Sequence, residues 1–363
     1  MSKNLSAFLY GINDIRLKNR DVPVPNENQL LIKVHTVGLC GSDVHFWKKG
    51  AIGSFHVKDP LVLGHEPSGI VAGLGSKVKN FSIGDRVALE PGNPCRACHL
   101  CKSGRYNLCH DMRFLGAPSI HGSLSRYMVH NADLCFKLPE NVTFDEAALL
   151  EPLAVAVHAC QRAELRIGEN VLVQGAGSIG TLCMMTAKAM GVGQIVITDL
   201  EERKLDIAKT LGADHSVCAK NKSVEEVKQL VTKCLKCEPD VTIECTGARS
   251  CLESSILVTT QNKLSENILA GFLFWATRSG GRIIMVGLGN PRVELPMIDC
   301  CLREVDIRGS FRFANDYPTA LNLLASKKVD ISRFTSAHYK LEEVVEALER
   351  TQKGDVMKVF VQC

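Results

Sequence analysis

The sequence predicts an α/β chain of two domains, one mostly β and one built as a doubly wound parallel sheet. Three observations carry this. The chain has 363 residues, more than the ~100–200 of a typical single domain. After Gly168 the pattern changes from short strands broken by Gly, Pro and Asp to apolar runs alternating with helical segments. That alternation is how crossover helices on a parallel sheet appear in sequence. Finally, Gly175-Ala-Gly177-Ser-Ile-Gly180 stands directly between an apolar run and an amphipathic segment, as a strand-turn-helix unit requires.

Taken in order, the first region offers strands at 29–37, 85–90 and 127–130, each rich in β-branched or aromatic residues and bounded by turn formers. The second offers five strands, at 170–174, 194–198, 216–219, 240–245 and 282–286. Helical patterns at 178–190, 201–211 and 224–236 separate them, the first with apolar residues at Ile179, Leu182, Cys183 and Met185. The tail, with helical patterns at 317–326 and 341–352 and a strand at 357–362, is expected to rejoin the first region. This places a discontinuous domain at 1–152 and 309–363 around a second at 153–308. No repeat or low-complexity linker interrupts the chain.

Composition narrows the function classes. Hydrophobic residues make up 45% and charged residues 23%, which fits a folded globular chain and neither a disordered nor a collagen-like one. A net charge of +4 from 43 basic and 39 acidic residues is too small to drive nucleic-acid binding. The longest apolar run, Ile268–Ala276, has nine residues, about half of the ~20 needed to span a bilayer. The N-terminus has no secretory pattern, so a cytoplasmic location is expected. Many of the 16 cysteines, such as Cys160, Cys183, Cys245 and Cys300, lie isolated in apolar segments, as reduced thiols do.

Cys95-x2-Cys98-x2-Cys101-x7-Cys109 is the exception. Four thiols at this spacing suit tetrahedral zinc, and a closed sulfur shell leaves no open position, so such a site is structural. Unpaired thiols or two disulfides are the alternatives by spacing alone. A nucleic-acid zinc finger is a further rival, but no basic helix follows the cluster. In the second domain the glycines of Gly175, Gly177 and Gly180 permit a tight turn and close backbone approach to a pyrophosphate at a helix N-terminus. Nineteen residues beyond Gly180 stands Asp199, a carboxylate suited to both ribose hydroxyls of NAD and repulsive to the 2′-phosphate of NADP. Arg203 and Lys204 follow it and pull the other way. A dispersed trio completes the inventory: Cys40, the pair His65-Glu66, and Glu151. Thiolate, imidazole and carboxylate are the ligands of an open zinc site, although each residue singly suits a core or surface role as well.

Gly64-His65-Glu66-x2-Gly69-x5-Gly75-x2-Val78 resembles the zinc signature of the medium-chain alcohol and polyol dehydrogenases. Cys40-Gly-Ser-Asp-Val-His45, Glu151-Pro-Leu, Gly175-Ala-Gly-Ser-Ile-Gly180, Asp199-Leu, Glu244-Cys-Thr-Gly247, Val286-Gly-Leu288 and Arg303-Glu-Val-Asp-Ile-Arg-Gly-Ser-Phe-Arg312 follow in the order that family uses. The local variants are similar to its polyol branch, which includes the sorbitol dehydrogenases. The resemblance implies a GroES-like catalytic domain, a Rossmann cofactor domain with the active-site cleft at their junction, a homotetramer, and two zinc ions with NAD. It also implies roles. Cys40, His65 and Glu66 hold a catalytic zinc, with Glu151 reaching it directly or through water; Cys95, Cys98, Cys101 and Cys109 hold the structural one. Ser42 and His45 match a proton relay, and Asp43 orients His65. Gly175, Gly177, Ile179, Gly180, Asp199, Lys204, Val286, Gly287, Leu288, Phe311 and Arg312 match cofactor positions. Phe46, Glu151, Arg312 and Phe313 match substrate positions. The implied reaction is reversible, NAD-dependent oxidation of a polyol of sorbitol, xylitol or L-iditol type at a secondary alcohol to the ketose. The rivals are an NAD-dependent dehydrogenase of threonine, butanediol or another alditol, and a non-catalytic protein that binds dinucleotide. Nothing implies a nucleic-acid partner or a membrane span.

Two departures stand out. Phe46 and Phe313 replace tyrosines of the polyol branch, removing two hydroxyls worth about 1–3 kcal/mol each where they meet a substrate hydroxyl. Roughly 18 residues, Val258–Trp275, have no counterpart in the family pattern, and an excursion of that length in a compact α/β unit needs a cause. It is either a surface extension that packs on a partner or the product of a retained intron or misjoined gene.

Overall fold

The computed structural model describes residues 3–53, 55–256, 277–289 and 292–363; the 258–275 excursion lies outside the described residues. The chain divides into two units, one formed by Met1–Ala154 with Phe313–Cys363 and the other by Val155–Arg312.

The first unit is organised around the strand Gln29–Gly38, whose alternating pattern of Leu30, Ile32 and Val34 faces its core. On one side it pairs antiparallel with Glu66–Leu74, which in turn pairs with Arg86–Leu89. On the other it takes Lys358–Gln362 from the chain's end, with Phe360 opposite Gly38 and Val361 opposite Val37. The tail therefore does rejoin this unit. Tyr127–Asn131 also pairs with Gln29–Gly38, and Ser336–Lys340 lies parallel to Lys358–Gln362. Leu9, Leu30, Ile32, Leu61, Leu63, Trp47 and Leu348 belong to one buried cluster beneath these strands.

The second unit is a six-stranded parallel sheet in the order His215–Cys218, Ile195–Asp199, Val171–Gln174, Val241–Glu244, Arg282–Met285, Asp306–Gly309. Numbered along the chain this is 3-2-1-4-5-6, the doubly wound order in which ligands bind where the winding reverses, here between Val171–Gln174 and Val241–Glu244. Helices Ser178–Ala189, Glu202–Thr210 and Val224–Leu235 form the expected crossovers. Leu172, Val196 and Val217 from three strands meet Val231 and Leu235 from the last of these helices.

The sheet has one strand more than the five expected. Asp306–Gly309 is four residues long, Asp-Ile-Arg-Gly, with both end residues exposed. An edge strand carries no continuous apolar run, so it lacks the signal that identifies the buried ones. Among the described residues no helix is long and apolar enough to cross a membrane.

Candidate active site

Strand register assembles the first site. Gln29–Gly38 runs into Cys40, which precedes the helix Gly41–Lys49. Gly38 lies opposite Glu66 on the neighbouring strand. As a result the ligand atoms of Cys40, His65 and Glu66, up to 26 positions apart, all lie within 4.8 Å of one another. The loop is held by Asp43, which is fully buried and accepts hydrogen bonds from the backbone N–H groups of Cys40 and Gly64, both at 3.0 Å. Its carboxylate also stands 3.6 Å from His65 Nδ1. Burial disfavours a charged imidazole, but Asp43 and Cys40 outweigh it and hold the His65 pKa well above the ordinary value. Burial likewise opposes the Asp43 charge, and His65 with the two backbone donors keeps it ionised. A basic imidazole oriented by a buried carboxylate is the arrangement of a metal-binding histidine.

Two residues of this site carry no motif signal. Lys358 is buried and ion-paired with Glu66. Burial works against its ammonium, while Glu66 and Cys40 restore it and lift its pKa above the ordinary lysine value. Gly38 makes the pair possible, because a Cβ there would overlap Glu66 Oε2 and come within 2.8 Å of Lys358 Cε. The available signal was a single lysine at the start of the otherwise apolar Lys358-Val-Phe-Val.

Ser42 is half-buried and His45 exposed on the helix Gly41–Lys49, while Phe46 is buried in the core cluster. Glu151 is buried near the start of the helix Leu150–Arg162, outside the three-residue ligand group. Phe313 is buried with its ring 5.4 Å from that of Tyr317.

The four cysteines at 95–109 form a second ligand group in this unit. Sγ separations are 3.5 Å for Cys98–Cys101 and 3.9 Å for Cys95–Cys101 and Cys98–Cys109. A tetrahedral ion with zinc–sulfur bonds of about 2.3 Å requires sulfurs about 3.8 Å apart, whereas a disulfide requires about 2.05 Å. Backbone N–H groups point at the sulfurs, from Cys98 to Cys95 at 3.3 Å and from Cys95 to Cys109 at 3.4 Å. The N–H groups of Ala97 and Cys98 pull the Cys95 thiol down to about 6. Both groups fit zinc: a closed four-sulfur shell, and an open set of three mixed ligands.

In the second unit the glycine turn is shaped for a dinucleotide. Gly175 has φ +96°, a conformation other residues rarely adopt. A Cβ on Gly180 would overlap the Gly175 carbonyl, whereas a Cβ on Gly177 would meet nothing within 4 Å. The first and third glycines therefore close the turn against the helix, and the middle one leaves an open face at the N-terminus of Ser178–Ala189. Asp199, at the end of its strand, accepts from Ala176 N at 2.7 Å and Glu201 N at 2.9 Å. Buried Glu244 accepts from Thr246 N at 2.6 Å and Gly247 N at 2.9 Å, and its own carbonyl accepts from Val286 N and Gly287 N at 2.8 and 3.0 Å. These bonds bring the Val286–Leu288 segment beside Gly247, with Leu288 exposed. Ile179 is half-buried, and Lys204 is paired with Glu201 at 2.7 Å. Arg312, with φ +52°, lays its guanidinium 4.8 Å from the half-exposed Phe311 ring.

Comparison with known proteins agrees with this construction. Residues 26–140 match the alcohol dehydrogenase GroES-like domain and residues 178–262 the zinc-binding dehydrogenase domain. Sorbitol dehydrogenase from Gallus gallus is 44% identical over 361 residues, covering 99% of this chain and 97% of that one. Sorbitol dehydrogenase from Homo sapiens is 44% identical over 360 residues, covering 99% and 96%. Among solved structures, L-idonate 5-dehydrogenase from Escherichia coli superposes with a TM-score of 0.88 at 30% identity, covering 100% of this chain and 99% of that one.

Proposed function

The chain belongs to the zinc-containing medium-chain dehydrogenase family, and from this premise we propose that it is a zinc- and NAD-dependent polyol dehydrogenase of sorbitol dehydrogenase type. It oxidises a secondary alcohol of a sugar alcohol to the ketose, reversibly. The observation that carries the reading is the convergence of the ligand atoms of Cys40, His65 and Glu66 within 4.8 Å of one another, with Asp43 3.6 Å from the His65 ring. Full-length likeness to two sorbitol dehydrogenases selects the substrate class.

When bound, zinc supplies a Lewis acid that makes the alcohol proton labile near neutral pH, and NAD supplies the hydride acceptor. The chain's residues divide the rest. Cys40, His65 and Glu66 hold the catalytic ion, and Asp43 fixes the imidazole. Ser42 and His45, three positions apart on one helix, carry the released proton towards solvent. Glu151 would supply a carboxylate acceptor for a substrate hydroxyl or a water at this site. Arg312 donates to substrate hydroxyls, and Phe46 and Phe313, both buried, back the site without the hydroxyls that tyrosines would add. The turn Gly175–Gly180 admits the pyrophosphate, Asp199 accepts the ribose hydroxyls, and Ile179, Lys204, Val286–Leu288 and Phe311 border the cofactor. Cys95, Cys98, Cys101 and Cys109 hold a second, structural zinc. The catalytic and cofactor domains correspond to the two units, dividing near 152–154 and 309–312.

Two further features support the assembly and location. Met297, Ile298 and Leu302 are exposed on the helix Met297–Arg303 of the unit whose sheet ends at the edge strand Asp306–Gly309. An apolar helix face beside a strand that is terminal among the described residues suits a second copy, in keeping with a homotetramer. None of the 16 cysteines is joined in a disulfide, which fits the reducing cytoplasm.

The test is NADH formation from D-sorbitol and xylitol, with threonine and 2,3-butanediol as competing substrate classes, before and after zinc removal and restoration. Polyol oxidation that disappears with zinc and returns with it supports the reading. Preference for threonine or butanediol selects the rival dehydrogenases, and folded zinc-loaded protein without turnover selects the non-catalytic one.

A further inference from the structure

Cofactor choice in the second unit poses a charge problem that Asp199 alone does not solve. Arg203 and Lys204 lie four and five residues beyond it, in the first turn of the helix Glu202–Thr210. Two cations at the positive end of a helix are what a phosphate ester seeks. Asp199 is engaged by backbone donors, its two oxygens accepting Ala176 N at 2.7 Å and Glu201 N at 2.9 Å. The carboxylate of Glu201 faces the cations. Its Oε1 accepts Lys204 Nζ at 2.7 Å, and its Oε2 stands 3.9 Å from Arg203 NH2. Glu201 caps the N-terminus of this helix, yet its side chain makes no capping bond. It is committed to the cations instead. Its backbone position is fixed by Asp199, which is tied in turn to the glycine turn.

We propose that Glu201 is a specificity-determining residue that makes this chain reject 2′-phosphorylated dinucleotides, by holding Lys204 and Arg203 and placing its own charge where that phosphate must compete. The proposal rests on the NAD-dependent reading above. It assigns rejection to a pair of devices: Asp199 repels the phosphate, and Glu201 withholds the cations that would otherwise compensate. NAD has no group that competes with Glu201, so the residue acts on one nucleotide and not the other. The pairs are partly exposed, with 22% of the Lys204 side chain and 52% of that of Glu201 accessible. The contribution is accordingly modest and salt-sensitive.

The test is a fluorescence titration of the zinc-loaded full chain with NADPH and NADH, comparing wild type, Glu201→Gln and Glu202→Gln. Glu201→Gln is expected to tighten NADPH about 5-fold or more at low salt and to leave NADH within about 2-fold, with the gain shrinking as salt rises. Glu202→Gln, one position on, separates the specific pairings from general loss of negative charge and is expected to change NADPH by less than about 2-fold. NADPH affinity unchanged in Glu201→Gln while NADH still binds overturns the assignment of Glu201 alone. Equal gains in both variants also overturn it, in favour of bulk charge. A wild-type chain that binds neither nucleotide overturns the dinucleotide reading and this proposal with it.

Discussion

The two candidate zinc sites of the first unit are built by opposite routes. The four cysteines come from one stretch of 15 residues, 95–109, whose backbone N–H groups turn inward on the sulfurs. Cys40, His65 and Glu66 come from separate elements and meet only because the strands Gln29–Gly38 and Glu66–Leu74 pair in one register. The local site has little core of its own, the helix His99–Lys102 burying no residue, so a bound ion would be what holds its shape. The dispersed site is shaped by the sheet whether or not an ion is present. Loss of a ligand should therefore cost chemistry at one and stability at the other.

The largest effect expected is at the dispersed site. His65→Ala should reduce kcat/KM for a polyol by on the order of 10³-fold or more, equivalent to about 4 kcal/mol of transition-state stabilisation. Circular dichroism should show an intact fold, and metal analysis one zinc lost per chain. An unfolded variant would erase the contrast between the sites.

Next comes the cysteine loop. Cys98→Ser should lower unfolding free energy by several kcal/mol, about 3 or more, because binding energy at a structural zinc is folding energy. Denaturant titration measures this. Polyol turnover at low temperature should survive within roughly 10-fold of wild type, since no ligand of the open site is touched.

A smaller effect sharpens the account of the dispersed site. Asp43→Asn loses the charge that sustains His65 and one of the two acceptor oxygens that hold the Cys40 and Gly64 N–H groups, and groups orienting a metal-bound histidine typically contribute 10–100-fold in metal affinity or activity. A chelator competition should show the open-site zinc released about 10-fold more readily or faster, with the cysteine-bound zinc unaffected.

The smallest effect concerns how the cysteine loop is tied down. Tyr106, between Cys101 and Cys109, donates to Glu90 Oε1 at 2.7 Å. Burial drives the Glu90 pKa up to about 7; the Tyr106 hydroxyl opposes this, and Asp316 and Asp133 add to it. A carboxyl whose folded pKa lies above its unfolded value favours the fold most below about 4.5 and loses that contribution as pH rises through about 7. The total is at most about 3 kcal/mol. Glu90→Gln should flatten the stability profile between pH 5 and 8, measured by denaturant midpoint. An unchanged slope would show that Glu90 is not the titrating group.

The same contrast explains what was legible in the sequence. Local information survives in spacing: the cysteine cluster, the glycine turn and the buried parallel strands are all recovered, the strands to within a residue at most ends. Tertiary information does not. The strand Glu66–Leu74 contains Pro67, Gly69 and Gly73, which look like turn residues, although Gly69 is there because a Cβ would press on the Lys33 carbonyl of the neighbouring strand at 2.5 Å. Lys358 and Gly38 act on Glu66 across three strands, and no one-dimensional pattern joins them. Glu201 was hidden differently, among Asp199, Glu202, Arg203 and Lys204, where composition shows mixed charge and only the side-chain pairing shows which carboxylate holds which cation. The edge strand Asp306–Gly309 lacked an apolar run altogether. For the dispersed zinc ligands, residue type alone left core and surface roles open, and resemblance to a family made the selection.

The central claim, that one site carries the chemistry and the other the fold, is tested most directly by graded chelation of the zinc-loaded enzyme. Zinc content, polyol-dependent NADH formation and thermal midpoint would be followed on the same samples. The account predicts two zinc ions per chain at the start. Activity should vanish as content falls from two to one while the midpoint holds, and the midpoint should fall only with the second ion. Activity that persists after the first ion has left, or that disappears only together with the fold, would contradict it.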